Sequence, residues 1–370
     1  MDRRAFLALT VSVALCALIP TVGSSFAAVA QGTAAAKTQA IATAATAFLN
    51  TLNDEQRGAV EFPFTRQAKA TAAHFKGGMR GDVDMIGEQY GRSVWSNYPV
   101  SDVLRPGLRL GSLNDKQHAA AMALLGASLS DRGYRKMQEI MGSDQALADS
   151  GTPYASGRAA CTLAIFGKPG VTDLWMVQFG GHHLALNVTM LGEHGVLAPV
   201  LTGCLPAIYE ENGKRVRALA AENDKAFALL ASFNDAQRKW AIIDHPVSEL
   251  ALGPGHDGET VESIGVKAST LTAQQRAMLF DLVLEWAGIV NDTYAAPRLA
   301  EIRDGLSDTF FAWSGPTTHE PDRNGASYFR IHGPKLFIEF SPQQPGGDLT
   351  MHVHTIYRDP PNAYGRALAA

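Results

Sequence analysis
One six-residue pattern recurs four times in this chain. An apolar residue precedes Asn or Thr, and Gln follows three positions later. The copies are Leu52-Asn53-Asp54-Glu55-Gln56-Arg57, Leu113-Asn114-Asp115-Lys116-Gln117-His118, Phe233-Asn234-Asp235-Ala236-Gln237-Arg238 and Leu271-Thr272-Ala273-Gln274-Gln275-Arg276. At a helix start, the Asn or Thr side chain accepts from the backbone N–H three residues on. The Gln side chain reaches back to the capping residue's own N–H, so two otherwise orphaned donors are satisfied. We read all four as helix N-termini, because their spacing is too uneven for a solenoid. With the apolar periodicity they predict helices over 34–50, 54–60, 115–129, 133–148, 216–232, 235–243 and 273–289.

Short apolar runs over 160–166, 173–179 and 182–190 are separated by Gly-Lys-Pro-Gly and Gly-Gly, which predicts an antiparallel meander. Alternation along the third run places His182 with Leu184 and Leu186 on one face and His183 on the other. Residues 310–313 and 328–357 supply further strands. The Gly-rich stretch from Phe75 to Leu113, with Trp95, Tyr98 and Pro99, reads as a long loop wrapping a surface or a site. Helices and strands come in blocks rather than in strict alternation. That favours an α+β fold, mostly antiparallel sheet with helices packed around it, as a single large domain over residues 31–370.

Chemistry falls to histidine. The chain has no Gly-x-Ser-x-Gly, P-loop, dinucleotide fingerprint, His-Glu-x-x-His or Cys-x-x-Cys. In His352-Val353-His354, strand alternation puts two imidazoles on one face. The Pro- and Gly-rich segment 341–349 reads as a loop returning the chain beside Lys335-Leu336-Phe337-Ile338-Glu339-Phe340. Glu339 is therefore the expected carboxylate partner, and Gly180-Gly181-His182-His183-Leu184 the second histidine source. The expected ligands are His352, His354, Glu339 and one of His182 or His183. The expected ion is a divalent transition metal, with Zn, Cu, Fe, Ni and Mn all compatible with such donors. Glu339 and Arg358 are the candidate catalytic residues, the latter orienting a substrate carboxylate through its planar fork. The plainer alternatives are histidines hydrogen-bonded beneath Tyr357, and Arg358 paired with a carboxylate to anchor the tail.

The N-terminus reads as an export signal. Arg3-Arg4-Ala5-Phe6-Leu7 opens an apolar run to Ile19, and Ala28-Val29-Ala30 fits a cleavage site, the form used by the twin-arginine route. The run is short for a membrane span. A signal peptide over residues 1–30 implies a periplasmic or secreted protein with no stable membrane insertion after cleavage. The formal net charge of −4 argues against a nucleic-acid partner. Cys161 and Cys204 fit either a disulfide or two buried free thiols.

Several pieces resemble the bacterial and fungal family catalogued as domain of unknown function 3500. They are Trp95-Ser96-Asn97-Tyr98-Pro99, Gly107-Leu108-Arg109-Leu110, Leu129-Ser130-Asp131-Arg132-Gly133-Tyr134, the run Trp175 to Leu184, Phe311-Ala312-Trp313-Ser314-Gly315, and Ile331-His332-Gly333-Pro334 through His352-Val353-His354 to Tyr364-Gly365. The resemblance spans roughly residues 45–366, and the family pattern has Asp where this chain has Ala363. The resemblance implies a shared fold and shared polar clusters, and no reaction. The functional expectation is an exported metal-dependent enzyme acting on a small molecule, by hydrolysis or oxidation. The alternative is an exported non-catalytic protein that binds a small ligand or a metal.

Overall fold
All four capping patterns start helices in the computed structural model, which describes residues 34–76 and 81–369. The described residues belong to one compact unit. The expected signal peptide over 1–30 lies outside them. No helix among them is long and apolar enough to cross a membrane.

The chain runs α1 (Ala34–Leu49), α2 (Asp54–Val60), β1 (Glu61–Phe62), β2 (Thr71–Lys76), β3 (Asp84–Tyr90), β4 (Ser93–Trp95), β5 (Leu108–Arg109), α3 (Asp115–Ser128), α4 (Asp131–Asp149), β6 (Thr162–Phe166), β7 (Trp175–Gly181), β8 (Leu184–Leu191) and β9 (His194–Cys204). After a hairpin of β10 (Ile208–Glu211) and β11 (Lys214–Arg217) come α5 (Ala220–Ala231), α6 (Asp235–Ala241), β12 (Val266–Lys267), α7 (Ala273–Ala287), α8 (Asp292–Asp304), β13 (Phe310–Ser314), β14 (Tyr328–Gly333), β15 (Leu336–Pro342) and β16 (Val353–Arg358). One large mixed sheet has the order β1-β6-β7-β8-β9-β16-β15-β14-β13-β12, with β5 also on β6, and β2-β3-β4 form a small sheet of their own. The fold is α+β.

That order repeats about the sheet centre. In the first half, α1 and α2 lead into β1, parallel to β6, and β5 pairs antiparallel with β6 ahead of α3, α4 and the meander β6 to β9. In the second, α5 and α6 lead to Ile242, which bridges parallel to Trp313 on β13. Then β12 pairs antiparallel with β13 ahead of α7, α8 and the meander β13 to β16. The last strands of the two meanders, β9 and β16, pair antiparallel with Thr202 opposite Thr355, and these two hydroxyls hydrogen-bond at 2.6 Å. On the helix layer, Ser130 N donates to Ile289 O at 3.0 Å and Asn291 N to Ser128 O at 3.1 Å, two bonds that make an antiparallel bridge between Leu129 and Val290.

The capping patterns fall on corresponding helices, α2 with α6 and α3 with α7, and their glutamines meet. Gln117 donates to Gln56 at 2.9 Å in one half, and Gln237 and Gln275 exchange bonds of 3.0 and 2.9 Å in the other. The four patterns are helix starts, as expected, and also the marks of a duplicated half. Their uneven spacing comes from the segment holding β2 to β4, which sits between α2 and α3 and has no sheet counterpart between α6 and α7.

The sequence reading needs three further corrections. The stretch expected as a long loop contains β3, β4 and β5. Helix α8 was not expected, because Pro297 lies inside it and breaks the pattern. Strand β9, central to the sheet, is interrupted in sequence by Gly195, Pro199 and Gly203. A register shift between Leu186 and Val188 accommodates the proline, and Asn187 Nδ2 donates to Pro199 O at 2.9 Å instead. Cys161 and Cys204 are buried free thiols.

Side chains alternate along β16. Val353, Thr355 and Tyr357 face the helices, where Trp286 of α7 donates to Thr355 Oγ1 at 2.8 Å. His354, Ile356 and Arg358 face the opposite side, where Ile356 packs with Leu201, Phe337, Trp95 and Tyr364. The paired glutamines are buried amides, so Gln275→Ala removes a cap and leaves Gln237 short of a partner. We expect a loss of about 2 kcal/mol in urea unfolding, against about 1 kcal/mol for the more accessible Gln56→Ala. Equal, near-zero losses would show that the pairs carry no stability.

Candidate metal centre
Strand β7 ends and β8 begins at a two-residue turn made by His182 and His183, with Gly181 paired to Leu184. The turn was expected at Gly180-Gly181, but those glycines lie within β7 because their neighbours leave no room. A Cβ at Gly180 would stand 2.8 Å from Leu184 O, and one at Gly181 2.6 Å from Cys161 Sγ. His183 takes the left-handed conformation, φ 60°, which costs an L-residue about 1 kcal/mol. In consequence the two histidines do not point opposite ways as strand alternation predicts. Their rings stack, with centroids 3.8 Å apart.

His183 then lies over the end of β16, where Gly203 stands opposite His354. A Cβ at Gly203 would stand 2.6 Å from Val353 O and 3.2 Å from the Cβ of His183, so glycine is required by the backbone opposite and also relieves crowding at the imidazole. The outcome is a convergence of three Nε2 atoms. His183 Nε2 is 3.1 Å from His352 Nε2, which is 3.1 Å from His354 Nε2. All three residues are buried, His183 most completely at 1 % exposed.

Protons cannot satisfy this arrangement fully. His352 Nδ1 lies 2.6 Å from Pro345 O and must donate to it, so its neutral ring presents a lone pair at Nε2. One lone pair accepts one good hydrogen bond, yet two nitrogens face it at equal distance. A cation makes both contacts favourable. Nitrogens bound to one ion at about 2.0–2.1 Å lie about 2.9–3.4 Å apart, from octahedral to tetrahedral angles, and 3.1 Å falls within that span. Burial, with the neighbouring imidazoles adding to it, pushes His352 down to about 3 and His183 well below the ordinary histidine range. Both rings are therefore neutral near pH 7, the form that binds metal. Three buried histidines with nitrogens within 4.8 Å of one another can hold a metal ion.

Supporting groups come from elements whose role sequence reasoning missed. Asn97 places its amide nitrogen Nδ2 3.0 Å from His354 Nδ1, and Glu249 Oε1 stands 3.8 Å from the same ring nitrogen. With the amide oxygen turned inward, His354 would donate from Nδ1 and free Nε2 for an ion. The loop carrying Asn97 is held by Arg105, a buried cation that donates to the carbonyls of Ser96, Tyr98, Pro99, Val103 and Gly181. Burial lowers that guanidinium to about 10. The Trp-Ser-Asn-Tyr-Pro piece was the available signal, since it is a polar interruption among aromatics.

Three expected site residues lie elsewhere. His182 turns back to α4, where its Nδ1 is 2.7 Å from Asp144 Oδ1. Glu339 shares the face of His354 but sits opposite Ile356, two pairs further along the ladder than the Ser341–His354 pair. Its carboxylate accepts from the N–H groups of Ala251 and Leu252 at 2.9 and 3.0 Å and from Tyr328 OH at 2.6 Å. It therefore pins a loop and lies outside the three-histidine cluster. Arg358 is buried against Glu88, with Nη2 2.6 Å from the carboxylate, and donates to Leu252 O and Gly253 O. Its fork is filled by the protein, which is the plainer alternative of pairing with a carboxylate, here Glu88.

Fold and site together define a duplicated α+β protein with, among the described residues, one buried three-histidine cluster able to hold a metal. The chain belongs to the family described as protein of unknown function (DUF3500), which matches it over residues 65–366. No curated protein and no solved structure matches it.

Because Arg358 neutralises a fully buried Glu88, Arg358→Met should cost about 3–5 kcal/mol, the penalty of stranding a buried charge. It should leave metal content per folded molecule unchanged. Chelator-sensitive metal loss in this variant, with stability kept, would place Arg358 in the site after all.

Proposed function
We propose that this chain is an exported metalloenzyme that holds one divalent zinc ion through His183, His352 and His354 and acts on a small molecule by hydrolysis. The observation that supports this most is the pair of 3.1 Å Nε2 contacts around a His352 ring whose other nitrogen is committed to Pro345 O. Three neutral imidazoles without thiolate or carboxylate suit zinc better than manganese, which favours oxygen donors. Three protein ligands rather than four are the pattern of catalytic zinc, which keeps one position for water or substrate. When bound, zinc would lower the pKa of a coordinated water and polarise a substrate oxygen.

The chain's own residues would set that chemistry up. Pro345 O fixes the His352 tautomer, and Asn97, with its amide turned to present oxygen to Nδ1, would fix that of His354. Glu249, largely exposed at the rim and in contact with Gln343 at 3.4 Å, is the group a substrate would meet first. Export follows from the twin-arginine pattern at Arg3 and Arg4, since that route carries proteins already folded around a cofactor. The near-complete burial of the three histidines favours a second reading, a metal-binding protein without turnover.

Metal analysis of protein isolated from its own compartment tests both readings. We expect about one zinc per chain and less than about a tenth of that in His354→Ala. A chelator should lower the wild-type thermal midpoint and leave that of the variant unchanged. Zinc-dependent cleavage of an ester or amide from a broad panel, absent in His354→Ala, marks an enzyme. A full zinc complement with no turnover selects the binding protein. Unchanged metal content in His354→Ala removes the site, and an N-terminus that is never processed near Ala30 removes export.

A further inference from the structure
Asp359 ends β16 on the helix side of the sheet, the side away from His354, and it is only 3 % exposed. Its Oδ1 accepts no hydrogen bond. Arg298 Nη2 lies 3.2 Å away as a charge partner but without hydrogen-bond geometry, and three of the guanidinium's N–H groups are taken by other acceptors. Nε serves Tyr357 OH, Nη1 serves Glu301, and Nη2 serves Lys335 O. A buried carboxylate oxygen without a donor is costly, and it marks the place of a missing partner.

The partner has a place to sit. Asp359 lines a half-open cleft of about 160 Å³ between α8, the start of β9 and the end of β16. Its walls are the apolar Val196, Leu197, Val290, Pro297 and Leu368 and the rings of Tyr294 and Tyr357. A cavity of about 150 Å³ holds a benzene ring. Glu193 and Glu301 join Asp359 in the lining, with Arg298 and His194 beside them; Arg298 and Lys335 both pair with Glu301, so the excess of negative charge at the cleft is small. An ammonium group supplies three donors and a positive charge, which answers both the orphan oxygen and the field. A carboxylate or phosphate would meet repulsion, and a neutral apolar molecule would leave the oxygen unpaired.

We propose that this cleft is a binding site for small primary amines, with the ammonium on Asp359 and a ring-sized apolar body between Val196, Leu197, Val290 and the two tyrosines. The site is separate from the metal cluster, because Tyr357 and His354 lie on opposite faces of β16, so each idea can fail alone.

Asp359→Asn should fold well. Burial raises its carboxyl to about 6, against the ordinary value of 3.8, so the folded state prefers the neutral form. The stability this contributes is complete below about pH 4 and lost as pH rises through about 6. The variant should therefore gain on wild type between pH 4 and pH 7.5. Binding is then measured by calorimetry on the full chain at pH 7.5, with benzylamine as the probe and benzyl alcohol and benzoate as comparators. Benzylamine should bind at least tenfold more tightly than benzyl alcohol, and benzoate not at all. Asp359→Asn should weaken benzylamine tenfold or more without changing benzyl alcohol. Val196→Phe, which fills the cleft, should block both, and zinc content should not change in either variant. The proposal is overturned if wild type does not bind benzylamine, if it binds benzylamine and benzyl alcohol equally, or if Asp359→Asn keeps its benzylamine affinity.

Discussion
The antiparallel pairing of β9 with β16 is the constraint on which the rest of the molecule depends. It joins two meanders into one sheet, and the Thr202–Thr355 hydroxyl pair sits at its centre, with Trp286 bonded to it from the helix layer. The same register sets Gly203 opposite His354 and thereby opens the space that His183 fills. Shifting the ladder by one residue would send His354 to the helix face and break the cluster. Sheet closure and the three-histidine site are consequences of one set of backbone bonds.

Duplication makes the site's position informative. The turn Gly181-His182-His183-Leu184 corresponds to Gly333-Pro334-Lys335-Leu336, since both link the middle strands of a meander through a Gly–Leu pair. One turn offers imidazoles and the other a proline and an ammonium, so the first half's turn adds His183 to the histidine pair that the second half contributes. The segment holding β2 to β4 belongs to the first half. It brings Asn97 to His354 by way of Arg105, and Glu88 to Arg358. The addition to the half-unit thus supplies the cluster's support.

Much of the fold was legible because its signals are local. A capping pattern is complete within four residues, and Asn53, Asn114, Asn234 and Thr272 each behave as read. His352 and His354 were legible for the same reason, through the period of two along a strand. What failed was non-local. Pro199 argues against a central strand until the register shift beside Asn187 is seen, and the Gly-Gly turn gives way because Cys161 and Leu184 approach it from elsewhere. Glu339 was placed on the correct face two rungs too near, since no local rule counts rungs between neighbouring strands. Arg358 found Glu88, a residue far away in sequence that no spacing argument could supply.

The convergence of His183, His352 and His354 is best tested by seeing where a metal goes. Crystals of the protein grown with stoichiometric zinc and measured at the zinc absorption edge should show one strong anomalous peak. It should lie about 2.0–2.1 Å from the Nε2 atoms of all three histidines, with His182 still bonded to Asp144. A peak seated between His182 and Asp144, or no peak near β16, would contradict the arrangement described above.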